Sequence, residues 1–407
     1  MRKKPFRESL VNAVGFLLGG FIGGYVLDDS FYIKQFVGPV LLILVLLSFS
    51  FSFSLKSKKL NSIHIALVLA FVGLYVFSVI LNQAVTILTF QMTYPLIFAL
   101  GSLLWLETKK YFFVGLYLSI IALLFIGWFR FLTLEGGELA EHLLGYWGIK
   151  YTTATRNNDA LIPLLGCILS IWFFDREYVF RTVKVLVGAF FIISLAALIL
   201  TFARGAWIAL IVYMGFYCRF TFRFIAISMV AILLLGLFGG LVSDALLIYT
   251  QTDASALNER FYSIFSSDVA SSNNERAELI FYSLETGSHA LLFGHGAGNF
   301  GNMMEQLGYS NLTHLRHAEN LLLSIFVTTG FPVVLFFAAI CTNAILIGKN
   351  KSNIEYPLFV SLMVWLQVNS ELESLLIWVL LGILVSALTS RPRVNTLPTS
   401  EQMKPTS

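Results

Sequence analysis

Long apolar runs separated by short polar segments are the feature that most constrains how this chain can fold. A helix needs about 20 residues to cross a hydrocarbon core that is about 30 Å thick, and twelve runs approach that length. The runs are solid apolar blocks without the alternation of a transmembrane strand, so they predict helices. They cover about 10–27, 36–54, 62–81, 85–106, 111–131, 158–174, 183–203, 206–218, 224–248, 320–347, 356–370 and 374–390.

The composition agrees with a membrane location. Of the 407 residues 57% are hydrophobic and only 12% are charged, whereas about 25% of the residues in a soluble domain are charged. We therefore predict an all-α polytopic membrane protein with about twelve transmembrane helices. The net charge of +4 is spread over helix ends and forms no basic patch, which argues against a nucleic-acid partner. The three cysteines fall inside apolar runs and are predicted to be buried hydrophobes.

Lysine and arginine residues between the runs predict the orientation. With the N-terminus inside, 19 of the 27 basic residues fall in cytoplasmic segments, and every short basic loop agrees with this placement. Both termini are therefore expected in the cytoplasm. The segment MRKKPFR and the first apolar run resemble a signal peptide but lack a small-x-small cleavage site, which predicts a retained membrane helix.

This topology divides the chain into transmembrane helices over 1–248, one large external loop over 249–319, transmembrane helices over 320–390 and a cytoplasmic tail over 391–407. The loop is the only long polar segment, and a glycine-rich turn, Gly294–Gly301, lies between its predicted helices and the next membrane helix. Apolar residues at helical spacing predict two short amphipathic helices that lie against the bundle. Their apolar stripes are Leu257, Phe261, Ile264 and Phe265 in the first helix, and Ala277, Ile280, Phe281 and Leu284 in the second.

Arg204 is the first candidate site residue. It stands in TFARGAW between two apolar runs, where Gly205 would allow a tight reversal of the chain. Fourteen residues separate it from Arg219 at the cytoplasmic boundary, which is about 21 Å of helix and less than the hydrocarbon thickness. A basic residue at that depth predicts a functional site, and a snorkelling interfacial arginine is the alternative.

Arg276 is the second candidate. The segment Ser272–Asn274 offers N-cap residues, which would place Arg276 in the first turn of a loop helix. The helix macrodipole disfavours a cation there, whereas a helix start together with a guanidinium suits phosphate oxygens. The alternative is a salt bridge to a neighbouring glutamate such as Glu278. Arg260, on the preceding helix, is on these grounds an ordinary surface charge.

The segment Thr313–Asn320 holds the remaining candidates, His314, Arg316, His317 and Glu319, directly before a membrane run. A neutral histidine with a pKa near 6.5 can accept a proton from a hydroxyl, and a neighbouring glutamate can orient it. The histidine spacing matches no zinc signature, which argues against a metal site. A structural cluster of interfacial histidines is the other alternative.

Three local patterns, together with the topology, resemble the O-antigen ligase/polymerase family of bacterial envelope glycosyltransferases. They are Arg204 followed by glycine after a membrane helix, Arg276 opening a loop helix, and Asn320 followed after nine residues by Gly330. In that family a histidine usually stands directly before the asparagine, where this chain has Glu319.

His317 lies two positions before Glu319, so either residue could act as the base. The resemblance implies catalytic roles for both of these residues and for Arg204 and Arg276, with the arginines holding a pyrophosphate. It implies substrate positioning by Arg260, His314, Arg316 and Asn320.

The resemblance further implies a class C glycosyltransferase fold in the inner membrane of a Gram-negative bacterium, with a periplasmic active site and neither cofactor nor metal. The donor would be a glycan on undecaprenyl pyrophosphate. The acceptor would be the lipid A-core oligosaccharide in a ligase, or another repeat unit in a polymerase. The position of the loop and the chain length favour the ligase. A secondary transporter for a small anion is a further alternative, but the internal repeats typical of transporters are not evident.

Overall fold

A computed structural model of the chain describes residues 4–25, 62–82, 94–103, 109–133, 156–175, 180–201, 203–217, 270–296, 300–309, 320–349, 354–368 and 375–389. These residues form thirteen helices and no strand, as the apolar blocks predict. The helices are α1 (Lys4–Tyr25), α2 (Ser62–Leu81), α3 (Tyr94–Leu103), α4 (Lys109–Leu132), α5 (Arg156–Phe174), α6 (Arg181–Leu200), α7 (Arg204–Tyr217), α8 (Ala270–His289), α9 (Phe300–Gln306), α10 (Leu321–Thr329), α11 (Phe331–Gly348), α12 (Glu355–Val368) and α13 (Leu375–Thr389).

Four of these helices, α2, α4, α6 and α11, are long and apolar enough to cross a membrane by length and composition. Ten of the twelve predicted runs correspond to helices in the described part of the chain. The other two, 36–54 and 224–248, lie outside the described residues. The helical, apolar character of the bundle is therefore confirmed, and twelve spans and a class C fold stay predictions.

Small residues set the closest helix contacts in the bundle. Helix α1 packs on α4 where Gly19 meets the Phe112 carbonyl and Gly115 meets the Phe16 carbonyl, so that any Cβ at either glycine would collide with backbone. Such small residues let membrane helices approach closely and gain dispersion contacts. The first predicted membrane helix is thus joined to the rest of the bundle by backbone-to-backbone packing.

An aromatic cluster forms the centre of the bundle. The rings of Phe71, Phe98, Phe337 and Trp378, from α2, α3, α11 and α13, lie 5.3 to 6.1 Å apart in edge-on or tilted pairs. These geometries are the favourable ones for aromatic quadrupoles. The cluster joins helices from both ends of the chain into one core. Two of the cysteines, in α5 and α11, are buried and free, as their apolar surroundings predict.

The apolar run over 320–347, predicted as one helix, is two helices that meet at Gly330. Gly330 has φ of +90°, and a Cβ there would collide with the Leu292 carbonyl, so the position requires glycine. Hydropathy missed the break because apolar residues flank it on both sides. The nine-residue spacing between Asn320 and Gly330 now has a physical meaning, because these residues are the N-cap and the C-cap of α10.

Candidate functional site

The segment Leu291–Gly296, which we name the glycine turn, crosses the break between α10 and α11. Backbone N–H groups of His295 and Gly296 donate to two of the last carbonyls of α10, at 2.8 and 3.0 Å, and the N–H of Phe331 donates to the Leu291 carbonyl at 2.8 Å. A helix end leaves its last carbonyls without intrahelical donors. The glycine turn supplies donors for them, so the break leaves these carbonyls paired.

The glycine turn is also bonded to α2 and α8. The Ser78 hydroxyl of α2 and the amide of Asn82, the residue directly after α2, both donate to the Phe293 carbonyl, at 2.6 and 2.8 Å. The His295 Nε2 donates to the Thr286 carbonyl of α8 at 2.8 Å. The predicted glycine-rich turn is therefore present over 294–296, where it is a hydrogen-bonded junction of four helices, whereas its last two positions, 300 and 301, already belong to α9.

Asn320 begins α10 and ties it to α12. Its Oδ1 accepts from the Leu323 N–H at 3.1 Å, which is an N-cap bond. Its Nδ2 donates to the Gln367 carbonyl at 2.9 Å and to the Gln367 Oε1 at 3.1 Å. The amide of Asn320 thus has partners within the protein at both its oxygen and its nitrogen, and its predicted contact with a substrate stays a prediction.

The pairing of α7 with α12 brings position 204 to the end of the bundle at which Asn320 begins α10. The Ser361 hydroxyl donates to the Ala209 carbonyl at 2.6 Å, and the Phe216 ring meets the Tyr356 ring at 5.6 Å between centroids. These two contacts make the helices antiparallel. Continuing their register places the first residue of α7 level with Gln367, and therefore near the start of α10.

Arg204 is the first residue of α7, and its side chain lies outside the described part of the structure. Around the end of α6, Thr201 and Trp207 both donate side-chain bonds to the Leu198 carbonyl, at 2.7 and 3.1 Å. Gly205 is already helical, so the prediction that it forms the reversal is wrong. The helix macrodipole disfavours a cation at a helix start, whereas the start of α7 together with the Arg204 guanidinium suits an anion.

Helix α8 begins at Ala270, so Arg276 lies in its second turn and the prediction of a first-turn position is wrong. Ser272–Asn274 are inside the helix and do not cap it. The Arg276 side chain is outside the described residues. Position 276 lies one turn before Leu279. Leu279 is buried in a small cluster, and Leu323 of α10 packs against that cluster. Leu323 follows Asn320 by one turn.

Helix α8 contacts the bundle through a face other than the predicted stripe. The predicted residues are exposed, whereas residues on the adjoining face are buried on the side of α10: Leu279, Ser283, Thr286 and Gly287. The Ser283 and Thr286 hydroxyls donate to carbonyls of their own helix, at 2.6 and 2.7 Å, so their burial leaves no unsatisfied group. The Phe326 ring fills the space that a side chain at 287 would need.

Tyr309 connects the end of α9 to α8. Its hydroxyl donates to the Glu285 carboxylate at 3.0 Å, and its ring stacks on Tyr282 with centroids 3.7 Å apart. Withdrawal of the hydroxyl from water, and then its bond to the Glu285 carboxylate, raise the pKa of Tyr309. Sequence reasoning missed Glu285, Tyr309 and Gln367, because partners 24 and 47 residues apart leave no local pattern.

The other candidate residues lie outside the described part of the chain, as does the first predicted amphipathic helix over 257–265. The described residues Tyr309 and Asn320 flank the segment that carries most of them. Within the described ranges no group of three or more histidine, cysteine, aspartate or glutamate residues is arranged to hold a metal ion. The undescribed candidates are Arg260, His314, Arg316, His317 and Glu319.

Comparison with known families identifies the region that contains this site. Residues 189–338 match the family model described as O-Antigen ligase. This region belongs to the O-antigen ligase family. The O-antigen ligase region runs from within α6 to within α11 and contains every candidate residue named above. No curated protein matches the chain significantly. The matched region supports a function of the O-antigen ligase or polymerase type in general, and the apolar helices support a membrane protein.

Proposed function

We propose that the protein is an O-antigen ligase that transfers a glycan from undecaprenyl pyrophosphate to the lipid A-core oligosaccharide. The family match over 189–338 carries the proposal, because it contains both candidate arginines and the Asn320–Gly330 pattern. The geometry supports it further, because the starts of α7 and α10 lie at one end of the bundle. The reaction takes place at the periplasmic face of the inner membrane, with both termini of the protein in the cytoplasm.

Arg204 and Arg276 hold the donor pyrophosphate in this mechanism. A guanidinium can bind two phosphate oxygens at once, and the start of α7 adds the positive end of a helix dipole at Arg204. Negative charge grows on the pyrophosphate as it leaves, so a fixed cation beside it stabilises the transition state more than the ground state.

His317 or Glu319 takes the proton from the acceptor hydroxyl. The hydroxyl oxygen forms a bond to the anomeric carbon of the donor sugar, and the bond from that carbon to the pyrophosphate oxygen breaks. The electron pair of the broken bond stays on the leaving pyrophosphate. Such a direct displacement inverts the anomeric carbon and uses neither metal nor cofactor.

The remaining polar candidates position the two substrates. Arg260, His314 and Arg316 would contact donor or acceptor groups. Asn320 holds the start of α10 in place, because its amide bonds α10 to α12 at about the level of Arg204 along the bundle.

Deleting the gene and analysing the lipopolysaccharide tests the proposal. A ligase predicts bare core in the outer membrane together with accumulated lipid-linked polymer. Core that carries single repeat units would instead assign the chain as a polymerase. Unchanged lipopolysaccharide, together with anion transport in proteoliposomes that contain no lipid-linked glycan, would favour the transporter alternative.

The arginines are tested by Arg204→Ala and Arg276→Ala, with Arg181→Ala as the matched control, because Arg181 is an exposed arginine that begins α6. We expect each site variant to lower the transfer rate by about 10²- to 10³-fold, the usual effect of removing one donor that stabilises transition-state charge. The control should transfer at the wild-type rate. A site variant that matches the control would remove that arginine from the mechanism.

The base is tested by His317→Ala and Glu319→Ala, with the exposed His289 of α8 replaced by alanine as the control. Loss of a general base lowers the rate by about 10²- to 10⁴-fold, and the residue that acts as the base should show this loss. Wild-type transfer in both single variants would rule out the assignment.

The sidedness is tested with impermeant thiol reagents on intact spheroplasts. Single cysteines at the exposed positions Glu305 and Lys349 lie in α9 and directly after α11. We expect the reagent to label Glu305→Cys and to leave Lys349→Cys unlabelled until the membrane is opened. The reverse result would contradict a periplasmic active site.

A further inference from the structure

Helix α8 presents three distinct faces, of which one is buried in the protein. Leu279, Ser283, Thr286 and Gly287 lie within an arc of about 100° at 3.6 residues per turn and pack towards α10. Val327 of α10 lies in one cluster with Leu279, and the Phe326 ring of α10 lies over Gly287, so this face is the one that packs on α10.

The second face is apolar and exposed. Ile280, Phe281 and Leu284 fall in the adjoining arc of about 100° and are 46%, 64% and 48% exposed. Ser288 falls in the same arc, but its hydroxyl donates to the Glu285 carbonyl of its own helix at 2.6 Å and needs no water. Three large apolar side chains side by side on one helix face are unusual for a surface that meets water.

The third face is polar. Glu278, Glu285 and His289 occupy the remaining flank, and Glu278 and His289 are exposed. A helix in water beside a protein core needs only two faces, one apolar and one polar. A helix beside a membrane bundle at the lipid surface meets protein, hydrocarbon and water, and the three faces of α8 match these three environments.

The exposed apolar face continues onto the glycine turn. Leu291 and Leu292 are at least half exposed, and the Leu291 carbonyl accepts from the N–H of Phe331, whose side chain is also exposed. Exposed Ile80 and Leu81 end α2. The apolar face of α8 is therefore next to the apolar surface of two helices that are long enough to cross a membrane.

These contacts also give the level of the face along the bundle. Phe331 is the first residue of α11, and Ser78 and Asn82 at the end of α2 hold the Phe293 carbonyl. Both helices are candidate spans, so the glycine turn lies where two spans end. The end of α8 that adjoins the turn is thus at the boundary of the hydrocarbon core.

We propose that α8 is an interfacial helix whose Ile280, Phe281 and Leu284 face is embedded in the lipid of the adjoining leaflet. The bilayer is its partner, with the polar face towards water and the buried face against α10. Binding to the lipid sets the depth of α8, and through it the depth of position 276, four residues before Ile280. The inference rests on the described contacts of α8 alone, and it stands or falls independently of the ligase assignment.

Spin labels on the full-length protein in phospholipid nanodiscs test this inference. Single cysteines replace Phe281, Leu284 or, as the polar-face control, Glu278, in a chain whose native cysteines are alanine. Oxygen concentrates in hydrocarbon and a nickel chelate stays in water. We expect a higher ratio of oxygen to nickel collisions at 281 and 284 than at 278.

Three other results would overturn the proposal. Equal ratios at all three positions, with high nickel collision, would mean that the face is in water. Low collision with both reagents would mean that protein covers it, either another segment of this chain or a second copy. Nickel collision that falls only after undecaprenyl phosphate is added would make a polyprenyl chain the partner.

Discussion

Replacing Asn320 by serine and by alanine separates two contributions that its amide makes. Serine keeps an oxygen that can cap α10 but removes the two bonds to Gln367, whereas alanine removes the cap as well. Each bond is worth about 1 kcal/mol net, so Asn320→Ser should lower the free energy of unfolding by about 1–2 kcal/mol. Losing the cap costs about 1 kcal/mol more, so Asn320→Ala should lose about 2–3 kcal/mol in total.

A third variant, Gln367→Ala, removes the side-chain acceptor and a long 3.4 Å bond from Nε2 to the Met363 carbonyl, and it leaves the carbonyl of residue 367 in place. It should cost about 1 kcal/mol, the least of the three. Thermal unfolding followed by tryptophan fluorescence, in one detergent and at one protein concentration, gives the order of the midpoints. The expected order is wild type, Gln367→Ala, Asn320→Ser and Asn320→Ala, from highest to lowest.

Transfer activity measured on the same samples distinguishes this structural part from direct substrate contact. If the amide acts through the position of α10, the activity loss should follow the order of the midpoints, and Gln367→Ala should show part of it. A large rise in KM for Asn320→Ser and Asn320→Ala at an unchanged midpoint would refute the reasoning and return Asn320 to the substrate-binding residues. If the midpoint of Asn320→Ala were unchanged, neither the N-cap bond nor the bonds to Gln367 would contribute to stability as expected.

Three further predictions concern other contacts. Gly330→Ala should destabilise the protein by about 2–5 kcal/mol, because φ is positive there and the new Cβ would collide with backbone. Gly308→Ala has a similar φ but open space around the Cβ, so it should cost only about 1–2 kcal/mol. Thermal unfolding midpoints of the two variants check this difference. Gly19→Leu should separate α1 from α4 and reduce the yield of folded protein in size-exclusion chromatography, whereas Gly20→Leu, with nothing within 4 Å, should not. Tyr309→Phe should lower the thermal midpoint at neutral pH, because it removes the bond to Glu285. Folding raises the pKa of Tyr309, so the difference in midpoint from wild type should persist below about pH 10. The difference should vanish as the pH rises further and the hydroxyl ionises in the folded protein. A difference that grows with pH would contradict that sign.

The apolar runs predicted the helical class because hydropathy acts locally and each block specifies its own helix. The break at Gly330 escaped the same reasoning, since its cause is the Leu292 backbone nearly forty residues earlier. Periodicity found the apolar stripe of α8 correctly, but the prediction that this stripe packs against the bundle is wrong, because the stripe is exposed. A pattern shows that a face avoids water and does not say whether protein or lipid covers it.

The candidate site was predicted as residue types and only partly as geometry. The Asn320 and Gly330 pattern was recognised by its spacing, and the caps of α10 explain it. The capping residues at 272–274 misplaced the start of α8, because the helix continues upstream to Ala270. Gln367 could not be found in advance, since its bond to Asn320 depends on how α10 meets α12.

The lengths of α7 and α12 have a consequence for how water reaches the reaction. Each has 14 residues, which is about 21 Å of helix against a hydrocarbon core of about 30 Å. The described parts of these two neighbouring helices, which meet near Arg204 and Gln367, are therefore shorter than the hydrocarbon core is thick. We expect the bilayer to be thinned beside this pair, where a hydrophilic acceptor could descend to a lipid-anchored donor without that donor leaving the bilayer.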